Sequence, residues 1–303
     1  MSTVVLKKAY GFKSLNILKK LGGFSSENYL ALVDDKPFII KYCSDETKIQ
    51  KAINISNFLL DKDFYVPNFI KCLKGNQYIK IKDKFVCLYT KIETDDFRQH
   101  QFSNKSFKSI AKSLAQVHST KFKLPDKPKI VGDIDELIYL IKSNSKGQDI
   151  DKVVLELIQT KQHIADKLSN KHIKDYPKCL IHGDFHSQNM IFNSKHDLVG
   201  ILDFEEANMG YKGEDIMHFI LLSLCYNGFL DQNIQKVWMF INECLNFITI
   251  DELEAGIYLY LKKLSSNFYL EKRLYAKNDL SVVPFLKRDA RNLRYLYSMN
   301  LNL

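Results

Sequence analysis

The sequence predicts an α+β fold, with a small sheet carrying one helix in residues 1–92 and a larger, mainly helical part in residues 93–303. Three observations lead there. The first 90 or so residues alternate as strands do, the apolar period turns helical beyond residue 93, and one non-helical stretch, 179–204, interrupts the helices.

Taken in order, "LNILKKLGG", "ENYLALVDD", "KPFIIKYC" and "NQYIKIKDKFVCLYTKI" are the strand-like segments. Between the third and fourth lies "DETKIQKAINISNFLLDKDF", where Ile49, Ala52, Ile53, Phe58 and Leu59 recur at helical spacing and the run ends before Pro67. Beyond residue 93, Phe107, Ile110, Ala111, Leu114 and Ala115 form one amphipathic stripe, and Ile150, Val153, Val154, Leu157 and Ile158 a second. A polar connector, "SNSKGQD", separates them. The last hundred residues predict three or four further helices, including 231–248 and 283–299, and the interrupting stretch predicts strand, loop, strand, turn, strand.

Composition narrows the classes. The longest near-continuous apolar run, Ile216 to Tyr226, has 11 residues, about half of a bilayer span, so no membrane partner is expected. The start "MSTVVLKKAYGFK" lacks the charged, apolar and small-residue regions of a secretory signal, which predicts cytoplasmic residence. Six scattered cysteines without a CxxC pair predict buried thiols. The net charge of +9 is spread along the chain and only five residues are arginine, so the surface predicts attraction to small anions such as ATP and no nucleic-acid partner.

The chemistry concentrates in "CLIHGDFHSQNMIF", residues 179–192. If "NMIFNSKHDLVGILDF" forms a hairpin with its turn centred on His196, Asn189 and Asp203 stand seven residues to either side and face one another. A carboxylate and an amide oxygen with open positions suit magnesium better than zinc, because magnesium keeps an oxygen octahedron and shares it with a nucleotide. Asp184, in the adjoining loop, is a second carboxylate able to accept a proton from a hydroxyl.

At these residues the chain resembles the aminoglycoside phosphotransferase and choline kinase superfamily, whose two-lobed fold is related to the protein kinases. "HGDFHSQN" is similar to its catalytic loop HxDxxxxN, "ILDFEEA" to its metal-binding segment and "GYKGEDI" to its closing motif. "LGGFSSENYLALV" resembles its phosphate loop, and "FIIKYC" the strand of its phosphate-pairing lysine. The resemblance covers about residues 20–225 and implies a small antiparallel-sheet amino-terminal lobe (1–92) and a helical carboxyl-terminal lobe (93–303) for catalysis and acceptor binding. It implies ATP and Mg2+ as cofactors. Gly22, Gly23, Ser25 and Lys41 would meet the phosphates, Leu88, Tyr89 and Lys91 the adenine, Asn189 and Asp203 the metal, and Asp184 would be the catalytic base.

Four supporting residues follow. His182 braces the loop and Asp215 is the structural aspartate. Glu205 is either a second metal contact or an exposed glutamate. Gln50 stands nearest the place where the family pairs a helix glutamate with the lysine, with Glu46 a turn earlier. His186 and His118 are expected to be structural, the latter on the polar edge of its helix. "GGFSSENYL", "YVPNF" and "DFEEA" look most like the choline and ethanolamine branch. Trp238, Tyr258, Tyr260, Phe268, Tyr269, Tyr275, Tyr295 and Tyr297 offer aromatic faces for a quaternary ammonium, or core packing. Residues 251–303 carry nine Lys/Arg against six Asp/Glu, which disfavours a polycationic aminoglycoside.

The acceptor is therefore expected to be the hydroxyl of a small, choline- or ethanolamine-like amino alcohol, with aminoglycoside, homoserine and (amino)sugar kinases as alternatives. A catalytically weak, nucleotide-binding module is the alternative of another class. A binuclear metallophosphoesterase also needs GDxxDR and GNH[DE] segments, which the sequence lacks.

Overall fold

A computed structural model describes residues 3–21, 26–62, 64–92, 101–124, 134–169, 176–225 and 229–298. Helix α1 (Thr3–Tyr10) precedes strands β1 (Leu15–Leu21), β2 (Glu27–Val33) and β3 (Lys36–Cys43). Helix α2 (Glu46–Leu60) and strands β4 (Tyr78–Ile81) and β5 (Lys84–Thr90) follow. All neighbours in the five-stranded sheet are antiparallel, in the order β1-β2-β3-β5-β4.

The strand period decides what each face of this sheet holds. On one face Ile40, Ala31, Val33, Val86 and Leu88 pack with Leu6 and Tyr10 of α1. On the other, Cys43, Phe85 and Cys87 pack with Ile49 and Ile53 of α2. Lys41 is two residues before Cys43 and opposite Cys87, so its side chain leaves on the α2 face. Helix α2 begins at Asp45, whose carboxylate accepts from the Lys48 N–H at 3.2 Å.

Helices α3 (Asn104–His118), α4 (Ile134–Ser143) and α5 (Gln148–Ser169) come next, then the short strands β6 (Cys179–Ile181), β7 (Met190–Phe192), β8 (Leu198–Ile201) and β9 (Asn208–Gly210). The chain ends with α6 (Lys212–Phe219), continued by a π-helical turn at Ile220–Leu224, and α7 (Ile234–Cys244), α8 (Ile250–Ser265), α9 (Tyr269–Lys277) and α10 (Val283–Ser298). Helices α6 and α8 meet at their glycines: a Cβ on Gly256 would stand 2.4 Å from the Gly213 Cα. An ion pair between Lys263 and Glu214 joins the same two helices.

The fold class is as predicted, a small antiparallel sheet with a helix and a larger helical part, with three additions. Helix α1 has no sequence signal beyond "TVVLKKAY", whose β-branched start favours strand. Strand β9 is three residues long and becomes a strand by pairing with β6. Among the described residues of the last hundred there are five α-helices rather than three or four, because α6 and α9 are short.

Two compact units are present. The first comprises residues 1–106 and 188–207, and the second residues 107–187 and 208–303. This differs from the expected division at residues 92 and 93. The β7–β8 hairpin belongs with the sheet because the Ile201 N–H donates to the Tyr65 carbonyl at 3.0 Å and Phe102 packs edge-on against Phe192. Among the described residues no helix is long and apolar enough to cross a membrane, and all six cysteines are free thiols, five of them buried.

Candidate functional site

In the first unit the site is built around Lys41. Its ammonium stands 2.9 Å from Asp203 Oδ1 and 2.7 Å from Glu205 Oε1. Burial works against this charge, yet the two facing carboxylates outweigh it and hold the Lys41 pKa above the ordinary lysine range. Burial pushes the Glu205 carboxyl up; Lys41 opposes that and the Asp203 charge adds to it. Glu205 is 3% exposed. It is therefore not an exposed glutamate but a buried counter-ion of the lysine. Asp203 itself adopts a left-handed backbone (φ 64°), which an aspartate tolerates far better than a β-branched residue.

The hairpin register differs by one residue from the expectation. Met190 pairs with Ile201 and Ile191 with Gly200, but Phe192 pairs with Leu198, so Val199 is an extra residue on β8. Asn189 thus faces Leu202, whose N–H donates to the Asn189 carbonyl at 2.8 Å, and Asp203 follows one residue beyond. Both remain oxygen donors at one end of one hairpin. That donor set fits magnesium, which accepts a carboxylate and an amide oxygen and takes its other ligands from water and phosphate.

The place given to Gln50 is corrected. Gln50 is exposed and donates to Asn54 at 2.9 Å, while Glu46 accepts from the Tyr78 hydroxyl at 2.8 Å. With Ile49, Ala52 and Ile53 on the buried face, helical phase turns Gln50 outward. What α2 offers to the segment after Asp203 is cationic: Lys48 pairs with Glu206, and Lys51 donates to the Ala207 carbonyl at 2.9 Å.

The adenine positions are narrowed. Leu88 is core, its carbonyl accepts from the Ile70 N–H at 2.8 Å, and the Lys91 N–H donates to the Pro37 carbonyl at 3.2 Å. Tyr89 bridges to Phe69. Several backbone groups proposed for the base are thus already used within the sheet. Gly22, Gly23 and Ser25 lie outside the described residues.

In the second unit the candidate base lies in the loop after β6. Asp215 on α6 holds that loop: Oδ2 accepts from the His182 N–H at 2.8 Å and Oδ1 from the Gly183 N–H at 2.9 Å, and His118 Nε2 stands 3.1 Å from Oδ2. Burial alone would raise the Asp215 carboxyl, but these bonds, His118 first, keep it below the usual carboxylate range. His118 is therefore buried against a carboxylate, rather than on a polar helix edge. His182 is fully buried, and its Nδ1 accepts from the Asp184 N–H at 3.2 Å.

Asp184 keeps about a third of its side chain exposed (34%). His218 Nε2 lies 3.1 Å from its Oδ1 and His186 Nε2 3.3 Å from its Oδ2. Burial is opposed by these two imidazoles, which hold the Asp184 carboxyl far below the ordinary range. His186, expected only to be structural, thus touches the proposed base. His218 was not singled out at all; its signal is its position three residues after Asp215, on the same helical face.

The aromatic candidates separate. Tyr258, Phe268 and Tyr275 are core; the Tyr258 hydroxyl donates to the Leu168 carbonyl and that of Tyr275 to Asp151. Trp238 is 55% exposed. Tyr260 sets its ring edge-on to His218, 5.6 Å between centroids, which places it next to the Asp184 cluster.

A lysine facing two carboxylates, and a carboxylate held by imidazoles in an HxDxxxxN loop, are groups that phosphoryl transfer can use. The family model of the phosphotransferase enzyme family (APH) matches residues 18–235, and the chain belongs to that family. Solved structures share the fold. A microcompartment-associated aminopropanol kinase is 12% identical, with TM-score 0.68 and 98% of each chain covered. A spectinomycin phosphotransferase in complex with ADP and spectinomycin is 17% identical, with TM-score 0.67 and coverage of 98% of this chain and 92% of that one. An amicoumacin kinase in complex with AMP-PNP and Ca2+ is 15% identical, with TM-score 0.64, 96% of this chain and 91% of that one. No curated protein sequence matches the chain.

Proposed function

We propose that this chain transfers the terminal phosphoryl group of ATP to the hydroxyl of a small amino alcohol of the choline or ethanolamine kind. The observation that carries the reading is the ion pair of Lys41 with Asp203, 162 positions apart in sequence and 2.9 Å apart in space. It joins a phosphate-neutralising cation to a metal-binding carboxylate, the two groups phosphoryl transfer most needs. The nucleotide-bound neighbours support ATP as donor.

In this reading Lys41 meets the nucleotide phosphates, with Glu205 keeping it charged and oriented. Asn189 and Asp203 would hold Mg2+, which supplies charge neutralisation at the phosphate oxygens. Asp184 accepts the acceptor's hydroxyl proton as its oxygen bonds to the γ-phosphorus and the bond to the β-phosphate oxygen breaks, releasing ADP. Residues 1–92 serve the nucleotide, and residues 93–303 supply the metal ligands, the base and the acceptor site. The aminopropanol kinase neighbour, the aromatic ring of Tyr260 beside the Asp184 cluster and the basic excess of residues 251–303 support an amino alcohol over a polycationic antibiotic.

The test is ATP consumption by the full chain with choline, ethanolamine, 1-amino-2-propanol, homoserine, glucosamine and an aminoglycoside. The expected result is turnover with one of the three simple amino alcohols, lost in Lys41→Ala. No turnover above that control with any acceptor would favour the nucleotide-binding module, and turnover with the aminoglycoside alone would overturn the amino-alcohol assignment.

A further inference from the structure

We propose that His218 and His186 are positioning residues for the reaction, each holding one of the two oxygens of Asp184 so that the carboxylate is presented in a fixed orientation to the acceptor hydroxyl. The inference rests on the reading of Asp184 as the base.

Each oxygen of Asp184 has one imidazole nitrogen in reach, His218 Nε2 on Oδ1 at 3.1 Å and His186 Nε2 on Oδ2 at 3.3 Å. An imidazole on each oxygen restrains rotation about the Cβ–Cγ bond, and the exposed third of the side chain is where a hydroxyl donor can approach. The two imidazoles lie nearly parallel, 24° between planes and 6.2 Å between centroids. They come from different elements: His186 from the loop that carries Asp184, His218 from α6.

The rigidity of that second support is visible in the fold. Helix α6 grips the loop twice from one face. Asp215 takes the backbone N–H groups of His182 and Gly183, and one turn later His218 takes the side chain of Asp184. The helix is itself set against α8 by the Gly213–Gly256 approach, and His218 is backed by the Tyr260 ring. Exposed loop carboxylates normally sample several rotamers. Here the reacting group is held from a helix, the arrangement that lets a base act without first paying orientational entropy.

The experiment compares His218→Phe, which keeps the ring and removes the polar atom, with His218→Gln, which returns a donor near Nε2. Both are made in the wild-type chain and in Asp184→Asn, using the most active acceptor of the panel above at saturating ATP. The proposal predicts that His218→Phe lowers kcat about 10- to 100-fold, leaves KM for ATP unchanged, is largely rescued by Gln, and costs nothing further in Asp184→Asn. A side chain with only a structural role would give additive losses on both backgrounds. His186→Phe and His186→Gln repeat the comparison on the other oxygen, and thermal melts confirm that each variant compared is folded.

Full activity of both Phe variants, equal loss on the two backgrounds, or failure of Gln to rescue overturns the proposal. Asp184→Asn turning over as fast as wild type would instead remove the base reading, and this inference with it.

Discussion

Asp203 and Asp184 are both acidic groups that close a short strand-to-loop passage, but their surroundings are opposite. Asp203 shares Lys41 with the buried Glu205, one permanent cation facing two carboxylates. Asp184 meets two imidazoles, His186 on one oxygen and His218 on the other, and about a third of its side chain stays exposed. The first environment is built for charge, with acid in excess over base, and suits a cation and its phosphates. The second keeps a carboxylate ionised and oriented between imidazoles, and suits accepting the hydrogen bond of an acceptor hydroxyl.

The largest effect expected from that contrast falls on Asp184. Asp184→Asn should lower turnover by roughly 10² to 10⁴, the usual worth of a positioned base, measured as steady-state ATP consumption with saturating acceptor. A loss below tenfold would erase the distinction between the two aspartates. Next comes the support beneath it. Asp215→Asn should cost about 3 kcal/mol in denaturant unfolding, because it leaves the partners of a buried carboxylate without its charge. The sign with pH follows from its depressed pKa. The stabilisation is present above the unfolded aspartate value of about 3.9 and is lost as pH falls from there toward the lower folded value. Acid unfolding that is the same in wild type and Asp215→Asn would contradict it.

A smaller effect sharpens the first region. Glu205→Gln keeps shape and removes the counter-ion, so KM for ATP should rise about tenfold, a typical worth for a hydrogen bond to a charged group. Unchanged ATP kinetics would mean that Asp203 alone holds Lys41. The smallest effects belong to α2. Lys48→Ala should lower stability by less than about 1 kcal/mol, since its pair with Glu206 is partly exposed. Gln50→Ala should change neither stability nor ATP kinetics by more than about 0.5 kcal/mol. A marked rise in KM for ATP in Gln50→Ala would restore Gln50 as the lysine's partner.

The fold was readable where period carried it. Ile49, Ala52 and Ile53 show the buried face of α2, and alternation in "KPFIIKYC" places Lys41 with Cys43 on one sheet face. The candidate loop was readable because its residues lie close in sequence, at 182–189. It was not readable where a partner lies far along the chain. Glu205 becomes a counter-ion only because β3, fixed 162 positions before Asp203, brings Lys41 to it, and nothing local marks a glutamate as buried. His218 looks like one polar residue in an apolar run until Asp215 on its own helix is known to grip the loop. The register was likewise hidden: the turn centres on Lys195 rather than His196, and the extra residue Val199 recovers only part of that offset.

The contrast between the two aspartates is tested most directly by calorimetric titration of the full chain with Mg-ATP. Asp184→Asn should bind it within about twofold of wild type and Asp203→Ala at least about tenfold more weakly, a difference of roughly 1.4 kcal/mol. Equal weakening in both variants, or tighter dependence on Asp184, would contradict the division of labour between nucleotide and acceptor on which the account rests.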